Sequence, residues 1–318
     1  MKNPKLKGAS RDVLEALNSV LSALRAVNAP VTLDEIAKST DLEAPVVARA
    51  IPYLEDQGYD IKKIVQGNET RYVLVRFGQN EMGAFYRSQG AISTPLILAS
   101  DWHIGSYGFS EIALKRMIHD VDQFGIRDIV IAGDFYQGRG VHKMELEDCK
   151  TLNVDTQTQW GCDIIDRFPS DTRFHAVIGN HEEKLKGSVL VGHDMLLATA
   201  KRRKQFSYYG HVTKLDLNKK FTTLVIHTSG GLSYAKTYRA ERVFDQLLER
   251  PNLLVTGHMH QLFAVGRPPN VVVVQAGTLQ RENAYLLNKG VTAQVGYMIL
   301  QDFNEEDATI RYVRPKVF

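Results

Sequence analysis

The sequence predicts a mixed-sheet α/β domain preceded by a small, separate α+β unit. Three observations predict it. The chain has 318 residues, which at roughly 150 residues per domain is about two domains. From residue 94 onward, short β-like runs alternate with helical patterns and later follow one another directly, the order of a mixed sheet. Before residue 77 the order is three helices and a β-hairpin. The expected boundaries are 1–77 for the first unit, 78–93 for a linker rich in glycine and polar residues, and 94–318 for the second.

The first unit opens with apolar residues at Val13, Leu14, Leu17, Val20, Leu21, Leu24 and Val27. That is helical spacing over Arg11 to Val27, and Pro30 ends it. Thr32 with Glu35 three residues later is a capping-box spacing, so a short helix follows over Leu33 to Ser39. A third helix is predicted over Ala44 to Gln57, with Gly58 at its C-terminus. Two β-runs, Ile61 to Val65 and Arg71 to Val75, flank a turn at Gln66-Gly67-Asn68-Glu69. In the second unit, β-runs are predicted at Pro95 to Ala99, Asp128 to Ala132, Phe174 to Ile178, Phe221 to Ile226, Asn252 to Thr256, Val271 to Gln275, Tyr297 to Gln301 and Thr309 to Val313. Helices are predicted at Ser110 to Phe124, Thr156 to Arg167 and Ala235 to Glu249.

Composition narrows the class. Apolar residues are 44% and charged residues 24%, enough apolar surface to offset ordering entropy, so a disordered chain is excluded. No run approaches the ~18 apolar residues of a membrane span, and no apolar segment follows the basic Met1 to Lys7, so no signal peptide is expected. Two cysteines, Cys149 and Cys162, make no disulfide scaffold. A cytoplasmic location and no membrane partner are expected. A net charge of +3 neither requires nor forbids a nucleic-acid partner.

Five short motifs each fall just after a predicted strand: Asp101-Trp102-His103, Gly133-Asp134, Gly179-Asn180-His181-Glu182, His227, and Gly257-His258-Met259-His260. Ligands of α/β sheets gather at the carboxyl ends of strands, so five such ends can converge. Carboxylate and imidazole ligands suit borderline divalent metals. A bridging aspartate can hold two cations ~3.5–4 Å apart, the arrangement of two-metal phosphatases and nucleases.

Taken together, the motifs resemble the calcineurin-like metallophosphoesterase superfamily, in order, across about residues 94 to 315. The resemblance implies two facing mixed sheets flanked by helices. It implies that Asp101, His103 and His260 bind one metal, that Asp134 bridges, and that Asn180, His227 and His258 bind the other. Manganese is the expected pair of ions, with iron and zinc sharing the ligand set. It implies hydrolysis by a hydroxide held between the metals, with His181 protonating the leaving group and Glu182 orienting His181 or a ligand.

The order of the first unit resembles a winged helix, and Leu54 to Leu74 resembles the wing of the biotin-repressor-like family. Residues 1–90 carry 12 Lys/Arg against 11 Asp/Glu, so charge does not decide between DNA contact and protein contact. Lys62, Lys63 and Arg71 lie on the predicted wing, and Lys2, Lys5, Lys7 and Arg11 form a basic arm.

Gly-His-Met-His carries a second histidine that protein Ser/Thr phosphatases lack, placing the chain with phosphodiesterases, break-repair nucleases included. The leading expectation is a nuclease acting on DNA; a homodimer follows by analogy with those nucleases. Candidate substrate contacts are Arg139 and the cluster Lys201, Arg202, Arg203 and Lys204, followed by the aromatic residues Phe206, Tyr208 and Tyr209. His142 and His193, each following a motif in a presumed loop, are the remaining histidines expected nearest the site. The alternatives are a phosphomonoesterase or protein phosphatase whose winged helix contacts protein, and a non-catalytic DNA-binding regulator.

Overall fold

The computed structural model describes residues 11–27, 30–56, 59–66, 69–76, 89–139, 141, 143–185, 189–218, 221–230, 236–247, 250–268, 270–304 and 309–318. The basic arm Lys2, Lys5 and Lys7, the helix end Gly58, the turn Gly67-Asn68 and His142 lie outside them. The chain divides into two compact units, Met1–Tyr86 and Arg87–Phe318. None of the helices among the described residues is long and apolar enough to cross a membrane.

The first unit runs α1 (Arg11–Val27), β1 (Val31–Thr32), α2 (Leu33–Thr40), α3 (Ala44–Asp56), β2 (Asp60–Gln66) and β3 (Glu69–Arg76). Its strands form a three-stranded antiparallel sheet in the order β1-β3-β2. The start of α2 is set by the predicted capping box. Glu35 N donates to Thr32 Oγ1 at 3.1 Å and Thr32 N donates to Glu35 Oε2 at 2.8 Å, satisfying two amides the helix leaves open. Val20, Leu24, Ile36, Val47, Ile51 and Leu54 close one core against the sheet.

The second unit is built on two six-stranded sheets. One orders β15 (Thr309–Val317), β14 (Gly296–Asn304), β5 (Leu96–Ala99), β6 (Asp128–Ile131), β7 (Arg173–Ala176) and β8 (Phe206–Tyr208), with β5 through β8 parallel. The other orders β12 (Leu262–Arg267), β13 (Val271–Ala276), β11 (Leu253–Gly257), β10 (Phe221–His227), β9 (Val212–Leu217) and β4 (Ala91–Ile92). In it β10, β11 and β13 are parallel. Residues Ala91–Ile92, expected within the linker, instead form β4 and pair with β9 (Val212–Leu217). That edge strand is two residues long, too short to show a period.

Alternation along β5 shows the layering. Leu96 and Leu98 enter a core shared with β9, β10, β11 and β13 of the other sheet. Ile97 and Ala99 enter a core with the helices Glu111–Phe124 and Val154–Ile165. Successive side chains on a strand point to opposite faces, and both faces are covered, so β5 reads as unbroken apolar sequence. The helix Tyr238–Gln246 covers the outer face of the second sheet through Ala240 and Phe244. The carboxyl ends of β5, β6 and β7, and of β10 and β11, then present their following loops to one place.

Candidate metal centre

Five of the motif residues reach the centre through backbone that ordinary residues avoid. Asp101, His103, Asp134, His258 and His260 all have positive φ, between 49° and 91°. Non-glycine residues in this region are uncommon and cost about 1–3 kcal/mol each. Backbone hydrogen bonds hold them there. His103 N donates to Asp134 O at 3.0 Å, Asp101 N to Gly133 O at 3.0 Å, and His258 N to Asp101 Oδ2 at 2.9 Å. The glycine of Gly-Asn-His is required by contact alone. A Cβ on Gly179 would lie 2.1 Å from Asp134 Oδ1 and 2.2 Å from Asp134 N.

The structure brings together all seven expected ligands. His260 Nε2 lies 3.4 Å from Asp101 Oδ1 and 3.1 Å from His103 Nε2. Asp134 Oδ2 lies 4.0 Å from His103 Nε2 and 3.2 Å from His227 Nε2. His227 Nε2 is 3.0 Å from Asn180 Oδ1. Asp101, His103 and His260 form one group able to hold an ion, and Asp134, His227 and His258 another, each with ligand atoms within 4.8 Å.

The hydrogen bonds test whether these groups suit cations. His227 Nδ1 donates to Ala132 O at 2.7 Å, and His103 Nδ1 to Gln137 Oε1 at 2.9 Å. In the neutral rings the lone pair is then on Nε2, facing other acceptors. His258 donates from Nε2 to Gly230 O at 3.0 Å, which leaves its Nδ1 as the lone-pair atom. Converging lone pairs with each opposite N–H fixed on a carbonyl or amide oxygen is the pattern of metal-binding histidines. The residues fit divalent cations.

Electrostatics agree at Asp134, His103 and His258, whereas at His227 burial opposes charge but Asp134 outweighs it and raises that imidazole to about 10. Burial opposes charge on Asp134, yet His227 and His181 outweigh it and hold the carboxyl well below its ordinary range. Burial, with His181 and His260 beside it, drives His103 well below the usual imidazole value, toward the neutral ligand form. Burial likewise lowers His258 to about 4.

His181 faces the same cavity, of about 620 Å³, that Asp134, Asn180 and His258 line. Its N–H donates to Asp134 Oδ1 at 2.8 Å and its Nδ1 to Gln137 O at 2.9 Å. Sequence reasoning missed Glu145, which also lines this cavity, 3.7 Å from His181 Nε2. It sits on a 3₁₀ turn, Lys143–Glu145, where no periodicity marks it.

Four expectations are corrected. Glu182 accepts N–H groups from Tyr136 at 2.7 Å and Gly179 at 2.9 Å, so it ties two motif loops together rather than orienting the His181 ring or a ligand. Arg139 is exposed, donates to Leu152 O at 3.1 Å and is not among the residues lining the cavity. Lys201, Arg202, Arg203 and Lys204 end the helix Val189–Arg202 and lead into the first residue of β8. Since β8 runs parallel to β7, they sit at the edge of the sheet opposite the metal groups, where Arg203 pairs with Asp166. The aromatics after them are engaged internally: Phe206 is in the core, Tyr208 bonds His193, and Tyr209 bonds His175. His193 itself lies in a helix, not a loop.

Facing sheets with carboxylates and imidazoles at the strand ends define a metal-dependent phosphoester hydrolase. The family model of the calcineurin-like phosphoesterase superfamily domain matches residues 95–295, and the chain belongs to that superfamily. No curated protein matches it. Among solved structures, the phosphoesterase Yfce from E. coli is 16% identical, covering 70% of this chain and 98% of its own, with a TM-score of 0.40. The Pseudomonas putida nuclease MPE is 13% identical, covering 71% of this chain and 90% of its own, with a TM-score of 0.31.

Proposed function

We propose that the protein is a phosphodiesterase acting on nucleic acid, DNA in the first instance. The observation that carries this reading is the element order of residues 11–76 ahead of such a site. Helix, short strand, two helices and a hairpin is the order of a winged helix, a fold that can hold DNA. Arg49 on α3 and Lys63 on β2 are exposed, available to phosphates.

Asp101, His103 and His260 would hold one cation, and Asn180, His227 and His258 a second, with Asp134 between them. Such cations, manganese first, would supply positive charge to the phosphoryl oxygens and to the attacking oxygen. His181 gives a proton from Nε2 to the leaving oxygen, held in place by its Nδ1–H on Gln137 O and its N–H on Asp134. A proton positioned this way is worth about 10²–10⁴-fold when the leaving group is poor.

Manganese-dependent hydrolysis of bis-p-nitrophenyl phosphate, p-nitrophenyl phosphate, and labelled single- and double-stranded DNA tests the reading. Cleavage of the diester and of DNA is expected. Turnover of the monoester alone would make the chain a phosphatase, with its first unit a protein-contact module.

A further inference from the structure

We propose that the helix Ala284–Asn288, with Lys289 just beyond it, forms a subsite for the nucleoside next to the scissile phosphate. Tyr285 stacks the base, and Lys289 with Lys184 holds the phosphate that follows. The subsite presupposes the nucleic-acid reading above and lies in a segment outside every motif.

The cavity is larger than its metal groups need. At about 620 Å³ it has the volume of a site that encloses an organic ligand. Asp134, Asn180, His258 and His260 line one part of it. Tyr285, Leu286, Lys289 and Val291 also line it, and none of these carries a carboxylate or an imidazole. A phosphodiester held at the first part therefore has room to lay an organic substituent against a ring, two apolar side chains and an ammonium.

Tyr285 and Lys289 are four residues apart, the spacing that brings side chains together on one helix face. The Lys289 ammonium lies 5.8 Å from the centre of the Tyr285 ring, within cation–π range. An aromatic face beside a cation suits a nucleic-acid strand, because the ring stacks a base and the charge meets a phosphate. That charge is not neutralised by neighbours. The cavity's carboxylates outside the metal groups, Glu183 and Glu145, face imidazoles, at 2.6 Å from His211 Nδ1 and 3.7 Å from His181 Nε2. Neither Lys184 nor Lys289 meets a carboxylate at ion-pair distance among the described residues.

The segment is held ready for a ligand. Asn283 Oδ1 accepts Leu286 N–H at 2.9 Å and so starts the helix. Asn283 Nδ2 donates to Asp148 Oδ2 at 3.3 Å, and Gln280 Nε2 donates to the same oxygen at 2.8 Å. Leu286 is buried, and its carbonyl accepts Val291 N–H at 2.9 Å. A platform fixed before binding loses little freedom when the ligand arrives. A base stacked on Tyr285 has left its own strand's stack and its pairing partner, so the subsite takes single-stranded or frayed nucleic acid.

Methyl p-nitrophenyl phosphate and thymidine p-nitrophenyl phosphate, the latter as its 5′ and its 3′ ester, share a leaving group and differ by a nucleoside. All are compared by kcat/KM with manganese. The better thymidine ester is expected to exceed the methyl ester by about 5–150-fold, the effect of one stacked base. Tyr285→Leu should abolish that preference, and Tyr285→Phe, which keeps the ring, should preserve it. Any general loss from an imperfect fold cancels in the ratio. No preference in the wild type, or an unchanged preference in Tyr285→Leu, overturns the stacking role. Turnover of all three esters alike would leave the phosphodiesterase reading standing and remove the subsite alone, whereas no turnover of any ester or of DNA would remove both. The phosphate contact has its own readout on single-stranded oligothymidylate. Lys289→Gln and Lys184→Gln should each make log kcat/KM fall less steeply with log salt, by about 0.7 in slope per contact removed. Unchanged slopes in both variants overturn the role of the lysines.

Discussion

The His181 N–H donates to Asp134 Oδ1 at 2.8 Å, while the other oxygen of that carboxylate lies 3.2 Å from His227 Nε2. One aspartate thus joins the expected proton donor to the expected metal ligands. Asp134→Asn should therefore strip bound metal and abolish turnover together, with a loss exceeding the roughly 100-fold that a supporting partner costs. Metal analysis of the purified variant checks this. Two ions retained per chain would remove Asp134 from the bridging position.

His181→Ala should separate those two effects. The ring is not needed for either three-ligand group built on Asp101 or on His227, so metal content should hold. Turnover of an ester with a poor leaving group should fall by about 10²–10⁴-fold, and that of an activated ester much less. An equal fall on both would show that His181 acts on something other than the leaving oxygen.

Gly179→Ala tests the packing under the site. The added methyl would lie 2.1 Å from Asp134 Oδ1, well inside any real contact, and the neighbour is a charged group already committed to His181. Overpacking of this kind costs about 2 kcal/mol, which in a domain of this size lowers Tm by roughly 4–8 °C. Calorimetry with metal analysis on the same sample reads both consequences. An unchanged Tm would mean that the loop yields without strain.

Much of this centre was legible because its ligands follow strands. The runs ending near Ala99, Ala132, Ile178, Ile226 and Thr256 fixed where Asp101, Asp134, Asn180, His227 and His258 emerge. Local chemistry was legible too, since the Thr32–Glu35 box needs only four consecutive residues. What escaped depends on long-range contact. Glu145 meets His181 from 36 positions away along the chain, from a turn without periodicity, and no spacing rule reaches that far. The basic run 201–204 misled because composition says nothing about which edge of a sheet a helix end occupies. Only the parallel pairing of β7 and β8 decides that.

Away from the site, Asp128 should set part of the acid stability. It is fully buried at the start of β6 and accepts from Ser93 N at 2.9 Å, Arg173 Nη2 at 2.7 Å and His175 Nε2 at 2.9 Å. Burial alone would raise its pKa, but the bonds from His175, Arg173 and Ser93 prevail and hold it below the ordinary 3.8. A depressed pKa means that the stabilisation is complete above 3.8 and fades as pH falls through the lower, folded value. Asp128→Asn should cost about 1–3 kcal/mol near neutral pH, and the gap from wild type should narrow below the ordinary carboxylate value. Urea titrations across that range measure it. A gap that widened with acid would reverse the assignment.

The last prediction concerns what the first unit contributes. Its core, from Leu17 to Ile61, is closed within residues 11–76, and the two sheets of the second unit share a core drawn from residues 92–300. Removing residues 1–86 should therefore leave kcat/KM on bis-p-nitrophenyl phosphate within about 2-fold, because no metal ligand or proton donor comes from that unit. DNA is a different case. Contacts to phosphates release counterions, and each one contributes about 0.9 to the slope of log affinity against log salt on duplex DNA. If Arg49, Lys63 and their neighbours hold the strand, the truncated protein should cut DNA more weakly at moderate salt and show a shallower salt dependence. Should both proteins cut DNA equally well with equal salt slopes, the first unit does not hold nucleic acid, and a protein partner becomes the reading to test.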